Sequence, residues 1–263
     1  MPRLDDTEIM RRITEFDREL DLAIAERVEP VSEGITAFLD TRIPRVWDAN
    51  YLVVERGVSA ETAAAKADEV LGGLGMAHRE VCPSDQSFAG ELEPGFLALG
   101  WEAEHGVQMV LRREPDRPAG VEAEEISIEE AQEMRREMLI EDQNVSDQET
   151  VEQLLELDRR VGGSVRDRWF AARHDGELAG CCRLMQGPGI GQVEDVGTLK
   201  AARNRGIARA IVLAAAGASV ADGDEITFVG ALADDWPRLL YERLGFDPVG
   251  GWRFFRLKPP REG

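Results

Sequence analysis

The feature that most constrains the fold is a segment in the second half of the chain that reads as a strand, a tight glycine-containing loop and a helix. The strand covers residues 193–199 (VEDVGTL), the loop covers residues 203–208 (RNRGIA), and an apolar run (IVLAAA) follows at residues 211–216. A loop at a helix N-terminus presents backbone N–H groups without partners and the positive end of the helix dipole. This arrangement is typical of a pyrophosphate site, and an ordinary strand-to-helix connection with surface arginines is the alternative.

Small residues and positive charges in this loop favour the phosphate interpretation. Gly206 allows a ligand to approach the backbone closely, and Ala208 keeps the next position small. Arg203 and Arg205 add cationic donors to a chain that is otherwise strongly acidic. The residues assigned to this predicted phosphate cradle are Arg203, Asn204, Arg205, Gly206, Ile207, Ala208 and Arg209.

A second motif lies downstream, at residues 234–246 (DDWPRLLYERLGF). An acidic N-cap followed by Pro237 predicts a helix start, Gly245 predicts the helix end, and residues 251–257 predict a strand. The order of these motifs, an Arg-x-x-Gly-x-Ala loop, a second strand and then Leu-Tyr-x-x-Leu-Gly-Phe, resembles the GNAT superfamily of acetyl-CoA-dependent N-acetyltransferases. The resemblance covers about residues 167–257 and says almost nothing about the acceptor.

The resemblance implies an α/β (α+β) fold with a mixed, mostly antiparallel sheet flanked by helices. It also implies that acetyl-CoA is the acetyl donor and that no metal takes part. In the family, the backbone of the strand that here contains Val196, Gly197 and Thr198 pairs with the pantetheine arm and polarises the thioester carbonyl. Many members carry Asn seven residues before the tyrosine that here is Tyr241. Asp234 holds that place in this chain, and an ionised carboxylate accepts a hydrogen bond but cannot donate one.

Acetyl transfer to an amine needs a group that removes a proton from the ammonium and another that protonates the leaving thiolate. A phenol has a pKa of about 10 and a thiol of about 8.5, so Tyr241 is a workable general acid. Packing of a half-buried ring is the alternative role for Tyr241. We expect direct attack of the amine on the thioester, with Tyr241 as the acid.

Glu194 is the candidate general base. Side chains alternate along a strand with period two, so we expect Glu194 to share a face with Val196 and Thr198 and to point toward the acceptor. Asp195 is expected on the opposite face, with a structural role. A proton relay through water, which would leave Glu194 as a solvated carboxylate, is the alternative.

The two halves of the chain also resemble each other. Residues 99–101 (LGW) match residues 244–246 (LGF) at a shift of about 145 residues, and the match continues without gaps. A segment at residues 113–120 with two prolines, a glycine and mixed charge predicts a domain boundary. We therefore predict two tandem GNAT-like domains, over residues 1–116 and 117–263.

The same overlay predicts that only the second copy is chemically competent. Gly206 corresponds to Glu61, a carboxylate that repels pyrophosphate, and Arg203 corresponds to Val58. Tyr241 corresponds to Phe96, which has no hydroxyl. The first copy is therefore interpreted as degenerate.

Hydrophobic periodicity predicts the order of the elements. The predicted helices cover about residues 7–28, 61–74, a short stretch ending by residue 100, 128–141 and 148–161. The predicted strands cover about residues 34–41, 47–55, 78–82, 107–112, 168–173 and 178–186, and the last two meet at a turn at residues 174–176.

The composition indicates which classes of partner the protein is expected to bind. The chain has 263 residues, three Cys, three His and a formal net charge of −20. This charge disfavours nucleic acid and anionic membranes as partners and attracts an amine-bearing acceptor, although simple solubility explains it equally well. The Cys and His spacing predicts no metal site, and the N-terminus lacks an apolar signal core, which predicts a cytoplasmic location. The oligomeric state is left open.

These observations predict an N-acetyltransferase that acts on a primary amine, expected to be that of a small molecule. A protein amino group is the second acceptor considered. The alternative outside catalysis is an acyl-CoA-binding or regulatory module without turnover.

Overall fold

The computed structural model describes residues 4–141, 145 and 147–259. The helices are α1 (Asp6–Ile24), α2 (Ala60–Ala67), α3 (Ala89–Ala98), α4 (Ile128–Glu141), α5 (Gln148–Ser164), α6 (Ile207–Asp222) and α7 (Pro237–Arg243). The strands are β1 (Arg27–Ser32), β2 (Ile35–Leu39), β3 (Tyr51–Val54), β4 (Arg79–Pro83), β5 (Glu102–Leu111), β6 (Ala123–Ile126), β7 (Arg166–His174), β8 (Glu177–Gly187), β9 (Ile190–Thr198), β10 (Ile226–Leu232) and β11 (Phe246–Leu257). This mixed α/β architecture agrees with the predicted fold class.

The residues divide into two compact units. The C-terminal unit comprises the described residues of Met1–Leu20 and Val107–Gly250, and the N-terminal unit comprises those of Asp21–Gly106 and Gly251–Gly263. Each unit is therefore built from two separate stretches of chain. The predicted boundary between residues 116 and 117 concerns the repeat along the sequence and stays a prediction.

In the C-terminal unit the strands lie in the order β5-β10-β9-β8-β7-β6. Pairing is antiparallel from β6 to β9 and parallel between β9 and β10. The β7–β8 hairpin forms at the predicted turn, where Asp175 and Gly176 both have positive φ, as a tight two-residue hairpin turn requires. This sheet is mostly antiparallel, as predicted.

Helices cover both faces of this sheet. The long apolar run of α6 buries Ile211, Val212 and Ala215 against β7, β8 and β9. On the other face α4 packs on β7 and β8. The adjacent Cys181 and Cys182 point to opposite faces, because Cys181 lies in the cluster with α4 and Cys182 in the cluster with α6.

In the N-terminal unit the strands lie in the order β1-β2-β3-β4-β11, with a parallel pair between β3 and β4 and antiparallel pairs elsewhere. Helices α2 and α3 supply apolar residues to its core, and the ring of Phe96 stacks on Phe255 with centroids 4.3 Å apart. The two units thus repeat one sheet pattern, in agreement with the tandem prediction.

The copies exchange their last strands. Strand β11 ends the second copy in sequence, yet Phe255 and Leu257 pair with β4 inside the N-terminal unit. Strand β5 ends the first copy, yet Met109 lies in the core cluster of the C-terminal unit. Each sheet is therefore completed by the strand that the other copy provides.

The helix ends reproduce the repeat in backbone geometry. Gly100 follows α3 with φ +81° and Gly245 follows α7 with φ +97°, the left-handed conformation that terminates helices. The aromatic residue after each glycine packs on the ring one turn earlier: Trp101 on Phe96, and Phe246 on Tyr241. The Leu-Gly-aromatic match between the halves is confirmed as a structural equivalence.

Some boundaries differ from those expected. Residues 27 and 28 belong to β1 rather than to the first helix, which ends at Ile24. Strand β6 was not predicted, because its sequence Ala-Glu-Glu-Ile carries two exposed glutamates and little apolar character. Strands β1 and β6 are each the outermost strand of their sheet, where burial imposes a weaker hydrophobic pattern on the sequence.

Candidate active site

The candidate site lies in the C-terminal unit, where strands β9 and β10 stop pairing. Their parallel pairing ends at Val193 and Val229, although β9 continues to Thr198 and β10 to Leu232. Backbone groups of β9 beyond Val193 are therefore not taken up by pairing with β10, and an extended ligand can hydrogen-bond to them.

Strand β9 carries a bulge at the same place. Glu194 pairs with Arg183 of β8 and Gly197 pairs with Cys181, so two residues of β9 lie opposite a single residue of β8. Asp195 has φ +53°, a left-handed conformation that Asp tolerates better than most residues other than glycine. The extra residue reverses the alternation of faces from this point on.

The expectation that Glu194 shares a face with Val196 and Thr198 is therefore wrong. As the cross-strand partner of Arg183, Glu194 lies on the sheet face that packs against α4, whereas Val196 packs into the cluster with α6. Period-two alternation assumes an unbroken strand, and the bulge breaks it.

The face predicted for Asp195 is also wrong, because its carboxylate pairs with Arg183 and Arg135 on the face of Glu194. Gly197 belongs to this face as well, since a Cβ added there would overlap the Cε of Met138. A side chain at this position would have to displace the end of the Met138 side chain.

The carboxyl group of Glu194 is suited to accept a proton near neutral pH. Gln192 Nε2 donates a hydrogen bond to Glu194 Oε2 at 2.9 Å. Burial raises the pKa of Glu194 to about 7, and the negative charge of Asp195 adds to the rise. A carboxylate with a pKa close to the working pH combines the right protonation state with enough basicity for general-base catalysis.

The phosphate cradle has the predicted form. Gly206 is the N-cap of α6, with φ +85°, and no side chain caps the helix. A Cβ added to Gly206 would meet nothing within 4 Å, so the space in front of the helix is open. The N–H of Ala210 bonds to the carbonyl of Gly206, and the amides of the first turn ahead of it have no helical acceptor. The uncapped helix start can accept an anion, and its role toward a diphosphate stays a prediction.

The side chains of the cradle differ in what they can contribute. Arg203, Asn204 and Arg205 are exposed beside Gly206, so the two guanidinium groups are available to an anion. Ile207 is buried in the core and Ala208 is half-buried, so these two residues can offer only backbone groups.

Arg209 does not face the cradle. Its side chain is buried, pairs with Asp116 at 2.7 Å and donates to the carbonyl of Arg117 at 2.9 Å. These contacts occupy the guanidinium, so the side chain is not free to bind a diphosphate. Only the backbone N–H of Arg209 remains for a ligand.

Thr198 ends β9 and carries a polar atom that needs a partner. Within the described ranges, its Oγ1 is buried without a hydrogen-bond partner. Buried hydroxyls are normally satisfied, so an unpaired one at the open end of β9 is consistent with a ligand contact.

Tyr241 lies on α7, in the same apolar cluster as Val196 and Ile207. Burial raises the pKa of its phenol, and the charge of Glu194 raises it further. The hydroxyl therefore keeps its proton at physiological pH, as a general acid must before the reaction. Tyr241 therefore packs on the α6 side of the sheet, and its catalytic role beside Glu194 stays a prediction.

Asp234 lies exposed in the turn before α7. The expected acidic N-cap is wrong, since the N-cap is Trp236, whose side chain makes no capping bond. Asp235 Oδ1 instead accepts from the N–H of Trp236 at 2.7 Å, and Pro237 opens the helix as predicted. The exposed position of Asp234 leaves its role toward a ligand a prediction.

The sequence analysis missed a set of charged side chains beside Glu194. They are Arg135, Asp158, Asp167 and Arg183, which join Asp195 in a buried network. One signal was present, because Arg183 interrupts the apolar strand β8, and a buried charge in such a strand requires partners.

Two features are absent from the residues that the structure describes, a membrane-spanning helix and a metal-binding cluster of side chains. None of the helices there is long and apolar enough to cross a bilayer. In the same ranges there is no cluster of three or more His, Cys, Asp or Glu side chains placed to hold a metal ion. The expected absence of a metal stays a prediction.

Comparison with known proteins bears directly on the second copy. Residues 166–248 match the family model described as an acetyltransferase (GNAT) domain. This range includes β9, the cradle and Tyr241. No curated protein matches the sequence.

Solved structures resemble the whole chain. A functionally unknown conserved protein from Staphylococcus epidermidis is 12% identical with a TM-score of 0.67, over 91% of this chain and 97% of that one. A GCN5-related N-acetyltransferase from Kribbella flavida is 17% identical with a TM-score of 0.63, over 95% of each chain. A tandem GNAT protein from the clavulanic acid biosynthesis pathway is 15% identical with a TM-score of 0.55, over 87% of this chain and 79% of that one. At these identities the likeness concerns the fold.

The matched range and the likeness in fold confirm the resemblance that the motifs indicated. Residues 166–248 match a GNAT domain model, and the chain is similar in fold to a tandem GNAT protein.

Proposed function

We propose that this protein is an enzyme that transfers the acetyl group of acetyl-CoA to the primary amine of a small molecule. The proposal is supported chiefly by Glu194, a carboxyl with a pKa of about 7 on the stretch of β9 that no longer pairs with β10, and further by Tyr241, whose phenol keeps its proton. The uncapped start of α6 supports a coenzyme A diphosphate next to this point.

Each group has a defined task in this reaction. Glu194 takes a proton from the ammonium, so that the neutral amine attacks the thioester carbonyl and a C–N bond forms. Backbone N–H groups of residues 196–198 hydrogen-bond to the carbonyl oxygen as negative charge develops on it. Tyr241 donates its proton to the sulfur as the C–S bond breaks and regains one from the attacking nitrogen, which loses its second proton, so the products are a neutral amide and a free thiol.

The charge of the protein favours a cationic acceptor. The formal net charge of −20 produces an attractive field for an ammonium at long range. The carboxylates around Glu194 add a local attraction, because Asp158, Asp167 and Asp195 outnumber the two arginines that they contact. We therefore propose a small amine rather than a neutral or anionic acceptor.

The experiment is thiol release from acetyl-CoA with the purified chain and a panel of amines, polyamines, amino acids and peptides with free amino groups. The expected result is thiol release with at least one small amine, together with the acetylated product by mass spectrometry. Thiol release with peptides only would indicate that the acceptor is a protein amino group rather than a small molecule. Tight binding of acetyl-CoA without release for any acceptor would support the non-catalytic acyl-CoA-binding module instead.

A further inference from the structure

A set of five charged side chains forms a buried charge network next to Glu194. It draws one residue from each of α4, α5, β7, β8 and β9. Its members are Arg135, Asp158, Asp167, Arg183 and Asp195.

Arg183 is the centre of the network. Its Nη2 lies 2.8 Å from Asp167, and its Nη1 lies 3.4 Å from Asp158 and 3.5 Å from Asp195. The guanidinium also stacks over the ring of Trp169 at 4.9 Å. With 2% of its side chain exposed, Arg183 is held in one orientation by these contacts.

Arg135 closes the network from α4. It contacts Asp195 directly, and its Nε lies 3.3 Å from Asp158. The carboxylate of Asp195 is thus held between two arginines from different elements. The backbone of Asp195 forms the left-handed residue of the bulge, so these contacts fix the conformation that sets the direction of Glu194.

The first copy builds the same sheet pattern with uncharged residues at two of the corresponding positions. At the shift of 145 residues, Arg183 corresponds to Phe38 and Asp195 to Asn50. The ring of Phe38 stacks on Tyr51 at 5.2 Å, and the amide of Asn50 donates to backbone carbonyls. Because buried ion pairs contribute little net stability compared with apolar packing, the fold gives no reason to keep the charges in the second copy.

We propose that Arg135 and Asp195 are positioning residues that act on Glu194, holding its carboxyl at the open end of β9 and balancing the charges around it. The inference rests on the proposed function, because it assigns these residues to the base of that reaction. Neither residue needs to touch the acceptor for this role.

The charges that face Glu194 come from every element packed around it. Asp195 on β9, Asp158 on α5 and Asp167 on β7 are negative, while Arg183 on β8 and Arg135 on α4 are positive. The phenol of Tyr241 on α7 is neutral. Asp195 raises the pKa of Glu194 and Arg135 lowers it. Loss of the Asp195 charge should therefore lower the pKa of Glu194, and loss of the Arg135 charge should raise it.

The test measures the titration of Glu194 by carbon NMR in the full chain labelled at glutamate carboxyl groups, with the signal assigned from Glu194→Gln. Asp195→Asn removes the charge and keeps a side chain that tolerates the left-handed conformation. Arg135→Gln removes the opposing charge. Arg136→Gln is the matched control, because Arg136 lies on the same helix and pairs with the exposed Glu152.

We expect Asp195→Asn to lower the midpoint of the Glu194 titration by roughly half to one pH unit, and Arg135→Gln to raise this midpoint by a similar amount. Arg136→Gln should leave it unchanged, and Arg135→Lys should restore most of the shift. Shifts in the same direction, or no shift in either variant, would overturn the inference. If Asp195→Asn does not fold, the comparison of Arg135→Gln with Arg135→Lys tests the inference by itself.

A rate measurement separates this inference from the proposed function. In the enzyme, the acidic limb of kcat/KM for thiol release should move with the NMR midpoint in each variant. Absence of thiol release from the unmodified protein with every amine would refute the proposed function and leave the NMR result valid. If the protein turns over but the acidic limb of its kcat/KM profile stays at the same pH in both variants, the positioning role alone is refuted.

Discussion

Helices α2 and α6 correspond in the two copies, although α2 begins two residues earlier in the overlay, and their N-caps differ in kind. In α2, Ser59 is the N-cap in an extended conformation, and its Oγ accepts a hydrogen bond from the N–H of Thr62 at 3.2 Å. In α6, Gly206 is the N-cap in the left-handed conformation, and no side chain provides a cap. The first copy therefore satisfies an amide that the second copy leaves open.

The difference shows how one fold carries two roles. A capped helix start gains stability from its own side chain, whereas an uncapped start keeps its amides and dipole for an anion. Glu61, at the place of Gly206, also puts a negative charge where a diphosphate would lie. Local sequence changes at two or three positions are enough to convert the cradle into an ordinary helix.

The largest expected effect comes from copying the first half into the second by Gly206→Glu. We expect acetyl-CoA affinity, measured by calorimetry, to fall by on the order of 100-fold or more, because a carboxylate meets the diphosphate at the helix start.

Gly206→Gln is the matched control, since it imposes the same strain at positive φ without the charge. Its affinity should lie between those of the original protein and the glutamate variant. Equal affinities for the original and glutamate proteins would contradict the proposed location of the diphosphate.

The next effect concerns the second equivalence, between Tyr241 and Phe96. Tyr241→Phe should lower the rate of thiol release by roughly 100-fold, in the range found for loss of a general acid, while the acetyl-CoA affinity changes little. The ring should still fit, because Phe96 is fully buried at the equivalent place in the first copy. Unchanged turnover in the variant would remove Tyr241 as the acid.

The smallest effect is expected in the first copy. Ser59→Ala should cost about 1 kcal/mol of local stability, because the N–H of Thr62 loses its acceptor. Faster hydrogen exchange in the first turn of α2 would report this change, with acetyl-CoA affinity unaffected. A loss of affinity in this variant would show that the two helix starts are not functionally separate.

The repeat and the main elements could be predicted from the sequence because they depend on local patterns. The Leu-Gly-aromatic triplets mark two helix ends that need a left-handed glycine, and this requirement is visible in the sequence. The cradle was predicted for a similar reason, since Gly206 and the apolar face of α6 lie close together along the chain.

The bulge in β9 and the strand exchange could not be predicted in this way. A left-handed Asp195 looks like any other strand residue in the sequence, and the bulge shows only in the pairing with β8. Strands β5 and β11 have equivalent sequence patterns, so nothing local decides which sheet each one joins. The partners of Arg183 come from three other elements, α5, β7 and β9, which are distant in sequence and meet only in the folded protein.

The exchange of last strands has a consequence for biosynthesis. Phe255, which stacks on Phe96 in the core of the N-terminal unit, is added to the chain almost 160 residues after it. That unit therefore lacks a strand and a core side chain until β11 has been synthesised. Its completion is a long-range step that follows synthesis of residues 166–248, the range that matches the GNAT domain model.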